Sequence, residues 1–106
     1  MAGYAIAFLQ NLTVNRQVVA YLNRIDATLE PFDGHFLVHG KRGTVVEGET
    51  PGQAIVIEFP SLQHARDWYH SKAYQAIVEL RTANSVGSVI LVDGVPTGYK
   101  ATDLLG

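Results

Sequence analysis

Four histidines, ten carboxylates and eight lysines or arginines in 106 residues are this chain's ionisable groups, and their spacing decides which can act together. His35 and His39 stand four apart in the run His35-Phe36-Leu37-Val38-His39. In a regular strand that spacing puts both on one face but roughly 13 Å apart, too far for one metal ion without a second chain. His64 and His70 stand six apart in a segment of helical pattern and point in different directions. Neither zinc-type nor facial-triad spacing occurs, so no metal site is expected and no cofactor is implied.

His39 with Glu58 is the stronger pair, the two being placed on strands expected to lie side by side near Gly40 and Gly43. A carboxylate beside an imidazole orients it and favours its charged form, as general acid–base catalysis requires. The same pair at a sheet end is more often structural, so His39 and Glu58 stand as the candidate catalytic residues on those terms. Trp68, Tyr69 and Tyr74, with Arg81 two turns further on, form the candidate ligand-binding group. Aromatic walls plus one cation suit a small planar acid, although aromatics at helical spacing also serve as plain core. Ser61 and Ser71 precede helical segments and read as caps rather than nucleophiles. The chain has no cysteine, no nucleophile elbow, no dinucleotide fingerprint and no phosphate-binding loop, which removes those chemistries.

The elements that must position these residues follow from periodicity. Tyr4 to Leu9 is a short apolar strand. Val18, Leu22, Ile25, Leu29 and Phe32 make one helical stripe, with Thr13 or Asn15 as its cap and Pro31 and Asp33-Gly34 as its end. His35 to His39 is the next strand, bent at Gly40 to Gly43 and resuming over Thr44 to Glu47. Glu49-Thr50-Pro51-Gly52 reads as a tight turn into the strand Ala54 to Phe59. Leu62, Ala65, Trp68 and Tyr69 supply a second helix, broken at Ser71 and resumed through Tyr74, Ile77 and Val78, with Asn84-Ser85 and Gly87 closing it. Val89 to Val92 is the last strand. Residues 1–95 thus read as one α+β domain of ferredoxin-like βαββαβ type, with 96–106 a tail either mobile or laid on a partner subunit.

Both helical crossovers fall on one side of such a sheet. The other face would carry alternating polar residues if it met water, yet the runs 4–9, 54–57 and 89–92 do not alternate. A large bare apolar patch is rare on soluble monomers, so the expected partner is a second copy, paired through the open sheet face as a homodimer.

The chain carries a formal charge of −2 with acids and bases interspersed, which argues against nucleic acid and against polybasic membrane docking. Its first ten residues lack the basic start of a secretion signal, and no run reaches the roughly 20 apolar residues that span a bilayer. The expected location is the cytoplasm.

Four segments also resemble domain-of-unknown-function family 1330, of the dimeric α/β-barrel superfamily: Gly34 to Gly40, Ile55 to Ser61, Trp68 to Gln75, and Arg81. The similarity runs from about Gly3 to Val95 and implies the ferredoxin-like sheet pairing face to face. The family usually has arginine where His39 stands and often proline where Lys72 stands, so an anion held at position 39 would be held less firmly here and in a pH-dependent way. The resemblance supplies no activity. Two functions fit the residues: a cofactor-free protein that binds or transforms a small organic acid or aromatic metabolite between sheet and helices, and a non-catalytic dimeric ligand-sensing or assembly module. An RNA-recognition role fails for want of stacking aromatics and basic charge on the sheet.

Overall fold

The computed structural model describes residues 1–49 and 52–106, so Thr50 and Pro51 of the expected turn lie outside the described residues. Four strands, β1 (Gly3–Gln10), β2 (His35–Arg42), β3 (Gln53–Phe59) and β4 (Val86–Asp93), form one antiparallel sheet in the order β2-β3-β1-β4. Helix α1 (Arg16–Leu29) links β1 to β2, and α2 (Leu62–Tyr69), α3 (Lys72–Gln75) and α4 (Val78–Thr82) link β3 to β4. This is the ferredoxin-like arrangement, two split βαβ units sharing one sheet.

Each long helix starts where a side chain can satisfy an orphan amide. Asn15 accepts from the Val18 amide at 3.1 Å, and Ser61 accepts from that of His64 at 3.1 Å. Ser71 does the same for Tyr74 at 3.2 Å while donating to the Trp68 carbonyl at 2.7 Å, so one hydroxyl ends α2 and begins α3. Helix α1 gives way to a 3-10 turn, Glu30–Phe32, because Pro31 cannot continue the hydrogen-bond ladder. Asp33, at φ 53°, takes the left-handed position expected of Gly34. Gly34 is instead needed for space: a Cβ there would lie 2.6 Å from the Phe59 ring.

Ala5, Ala7 and Leu9 of β1 and Ile57 and Phe59 of β3 turn toward the helices. The buried side of α1 is Val18, Tyr21, Ile25, Thr28 and Leu29, so the helix is turned from the expected stripe: Tyr21 is inside and Leu22 is exposed. Both residues lie within one turn of Val18 and Ile25, and the tertiary partners decide between them. Thr28 accepts the Trp68 indole N–H at 3.0 Å and donates to the Ile25 carbonyl at 2.6 Å, while the Tyr21 hydroxyl meets that of Tyr74 at 2.8 Å. Every polar tip on the buried side of α1 thereby has a partner, as burial demands.

Strand β2 departs from a regular ladder in two places, between Phe36 and Val38 and between His39 and Lys41. The second is the expected glycine bulge, with Gly40 at φ 74°. The first inserts Leu37 as an extra residue and reverses the face of everything after it. His35 therefore lies opposite Glu58 on the open face, and His39 lies opposite Ile55 on the helix-facing side. Thr44 to Glu47 is not strand, because β3 begins at Gln53 opposite Arg42 and leaves those residues nothing to pair with. Gly87 likewise sits inside β4, opposite Leu9, rather than closing a helix.

The face away from the helices carries the row Val38, Val56, Ile6, Ile90 across all four strands. Phe8 and Val92 flank it, and Phe8, Val38, Ile90 and Val92 are all exposed in the single chain. Beyond β4, a 3-10 turn at Ala101–Leu105 ends the described chain with Leu104 and Leu105 exposed. No helix among the described residues is long and apolar enough to cross a membrane.

Candidate functional site

A cavity of about 40 Å³ lies between the sheet and the helices, floored by Ala5 and Ala7 of β1 and Ile55 and Ile57 of β3. Small side chains at positions 5 and 7 leave the space on β1, an inner strand of the sheet beneath the helices. Tyr21 from α1, Trp68 from α2, Tyr74 from α3 and Arg81 from α4 form its roof, each delivered by a different helix. The breaks at Ser71 and Ile77 let one sequence segment supply three of these four.

The aromatic group is tightly coupled. Trp68 and Tyr74 have centroids 4.2 Å apart, and the Tyr21 and Tyr74 rings meet edge to face at 6.1 Å. The Arg81 guanidinium sits 5.7 Å from the centre of the Tyr21 ring, within cation–π range. Its side chain is only 8% exposed, and among the described residues the one ion pair is His35–Glu58, so Arg81 has no carboxylate within 4.0 Å. Burial works against the guanidinium's charge, but Tyr74 and Tyr21 outweigh that and raise its pKa. Burial, reinforced by Tyr74, pushes the Tyr21 phenol well above its ordinary value, against the downward pull of Arg81. At neutral pH the cavity wall therefore holds a fixed cation and the protonated Tyr21 phenol.

Trp68, Tyr74 and Arg81 of the expected ligand group come together at this cavity. Tyr69 does not reach it; it is half-buried and packs behind the wall, 5.5 Å from the Tyr74 ring. His39 stands at the rim, exposed and stacked on Phe36 at 4.3 Å. Glu58 is not its partner, which corrects the expected His39–Glu58 pair. The extra residue at Leu37 turns His39 inward, whereas Glu58 faces outward at the other end of β3. There Glu58 accepts from the Tyr4 hydroxyl at 3.2 Å and meets His35 Nε2 at 3.1 Å. The bond to Glu58 raises the Tyr4 pKa. The residue that sequence reasoning missed is Tyr21. Its signal was present, since it stands three after Val18 and four before Ile25, but Leu22 fits the same stripe and is the more apolar choice. Among the described residues no three His, Asp or Glu converge as metal ligands.

The family pattern described as "Domain of unknown function (DUF1330)" matches residues 2–95, and the chain belongs to that family. No curated protein matches the sequence. Among solved structures it is similar to the RPA0582 protein of Rhodopseudomonas palustris, a protein of unknown function, at 14% identity and TM-score 0.67 over 90% of this chain and 83% of that one. The methylated form of RPA0582 gives 15% identity and the same TM-score over 92% and 84%. A DABB family protein with a ferredoxin-like fold from Mesorhizobium loti matches at 17% identity and TM-score 0.53, over 92% of this chain and 97% of that chain. These likenesses establish the fold.

Proposed function

Starting from membership of a family without an assigned activity, we propose that this chain is a cytoplasmic homodimer that binds a small organic acid or aromatic metabolite between sheet and helices, without a tightly bound cofactor. One observation carries the binding half: Arg81 is nine-tenths buried at the cavity wall, charged, and without a carboxylate. Tyr21 and Tyr74 stabilise the guanidinium but no carboxylate accompanies it, and a ligand carboxylate is the group that completes the pairing best. Catalytic roles for His39 and Glu58 would have to be separate, since they do not meet.

The dimer half rests on the apolar row Val38–Val56–Ile6–Ile90, which a second copy of the same face would cover. The tail bearing Leu104 and Leu105 would then reach over the partner. Light scattering at micromolar concentration should give twice the chain mass, and a well-folded monomer would overturn the pairing. A thermal-shift panel of carboxylic acids and neutral aromatics should find stabilising acids whose effect disappears in Arg81→Met. Stabilisation equally strong in that variant would remove the cavity from the binding site.

A further inference from the structure

We propose that the cavity is a site for a small monocarboxylate of about acetate size, held by the Arg81 guanidinium and the Tyr21–Tyr74 hydroxyl pair. This rests on the ligand-binding reading above and narrows it from organic acids and aromatics to one class.

Charge comes first. The wall presents one guanidinium and two phenols, and no acidic side chain accompanies them. The two hydroxyls are 2.8 Å apart, so one donates to the other. The accepting phenol keeps its own proton, which is left to donate elsewhere, and Arg81 adds N–H donors of its own. Two phenol hydroxyls next to a buried cation make a donor-rich corner whose natural complement is an oxyanion. Planar two-oxygen acceptors match the guanidinium fork better than a point acceptor does.

Size comes second. An apolar cavity of about 150 Å³ accepts benzene, and one water needs roughly 10–15 Å³. At about 40 Å³ this cavity takes roughly three to four non-hydrogen atoms, well short of an aromatic ring. Apart from His39 at the rim, the remaining wall is apolar, with Ala5, Ala7, Ile55 and Ile57 as its floor, which suits a methyl or methylene beyond the carboxylate. A second acid group pointed at that floor would meet no basic side chain, so the ligand carries one.

Trp68 is the chain's one tryptophan and lines the cavity, which makes its fluorescence a direct reporter. The protein is titrated with sodium acetate, sodium benzoate and acetamide at constant ionic strength held with chloride. Acetate should give a saturable change in Trp68 emission, and benzoate and acetamide should give none. Arg81→Met should weaken acetate at least tenfold, Tyr21→Phe should weaken it less, and Arg81→Lys should retain partial binding. Acetamide binding as well as acetate would overturn the charge argument. Saturation by benzoate and not by acetate would overturn the size argument while leaving an acid-binding cavity in place. If neither acid moves Trp68 emission or the melting temperature, the inference and the acid-binding reading fall together. The wild-type titrations decide these outcomes even if Arg81→Met does not fold.

Discussion

Substituting Ile90 by aspartate tests the sheet pairing where the single chain predicts almost no effect. Ile90 is 54% exposed and sits in the middle row of the open face, beside Ile6. In the single chain a polar residue there costs at most about 1 kcal/mol of strand preference. In a face-to-face dimer the same position is buried. Covering the remaining half of an isoleucine is worth about 1 kcal/mol per copy, and two-fold symmetry counts it twice. An aspartate is too short to reach water past the interface, so each copy would add a desolvation cost of several kcal/mol. The sum, about 5 kcal/mol or more, raises the dimer dissociation constant by at least three powers of ten. Light scattering across a dilution series should then show monomers at micromolar concentration, with circular dichroism unchanged. The matched control is Val19→Asp, since Val19 is 46% exposed but lies on α1, on the other side of the sheet. That variant should remain dimeric. A dimeric Ile90→Asp, or a monomeric Val19→Asp, would refute the assignment of the open face as the interface.

Two further substitutions probe the cavity. The folded chain holds the Tyr21 phenol above its ordinary value of 10.0, so the unfolded chain loses that proton first as pH rises. Stability is therefore intact below about pH 10 and falls above it by up to roughly 1.4 kcal/mol per pH unit for this group. Tyr21→Phe should show a shallower loss in chemical denaturation between neutral and alkaline pH, and equal slopes would contradict the burial of that phenol. Ala7→Val adds two methyl groups at the cavity floor, worth up to about 1.5 kcal/mol if they fit. It should hold or raise the melting temperature while abolishing the acetate response of Trp68; a destabilised variant that still binds would place the ligand elsewhere.

How far the sequence revealed this arrangement depends on whether the deciding contact is local. The caps at Asn15, Ser61 and Ser71 bond within three residues; Ser61 and Ser71 were legible outright and Asn15 as one of two choices with Thr13. So was the grouping of Trp68, Tyr74 and Arg81, because a helical segment broken by a capping serine keeps its inward side chains close together. The His39–Glu58 pair was misread because one extra residue at Leu37 reverses the face of His39, and that insertion is defined only by the partner strand β3. Tyr21 was hidden by Leu22 for a related reason. Either residue continues the stripe, and the choice is made by Tyr74, which is 53 residues away. Thr44 to Glu47 has the residue types of a strand and no strand to join.

Strand β1 links the two unfinished features of the single chain. Its inward side chains at the cavity are Ala5, Ala7 and, at the far end, Leu9, while Tyr4, Ile6 and Phe8 point outward. A two-layer monomer optimised for its own stability would do the reverse, since large apolar groups gain most where water is excluded. The inversion has a single economical explanation. On the proposed reading, small residues inside keep a space open beneath Arg81 and the tyrosine pair, and large residues outside would be covered by a second sheet. On that account neither the cavity nor the exposed row is a packing defect. Over Tyr4 to Phe8 a single strand supplies both by sending its small side chains one way and its large ones the other.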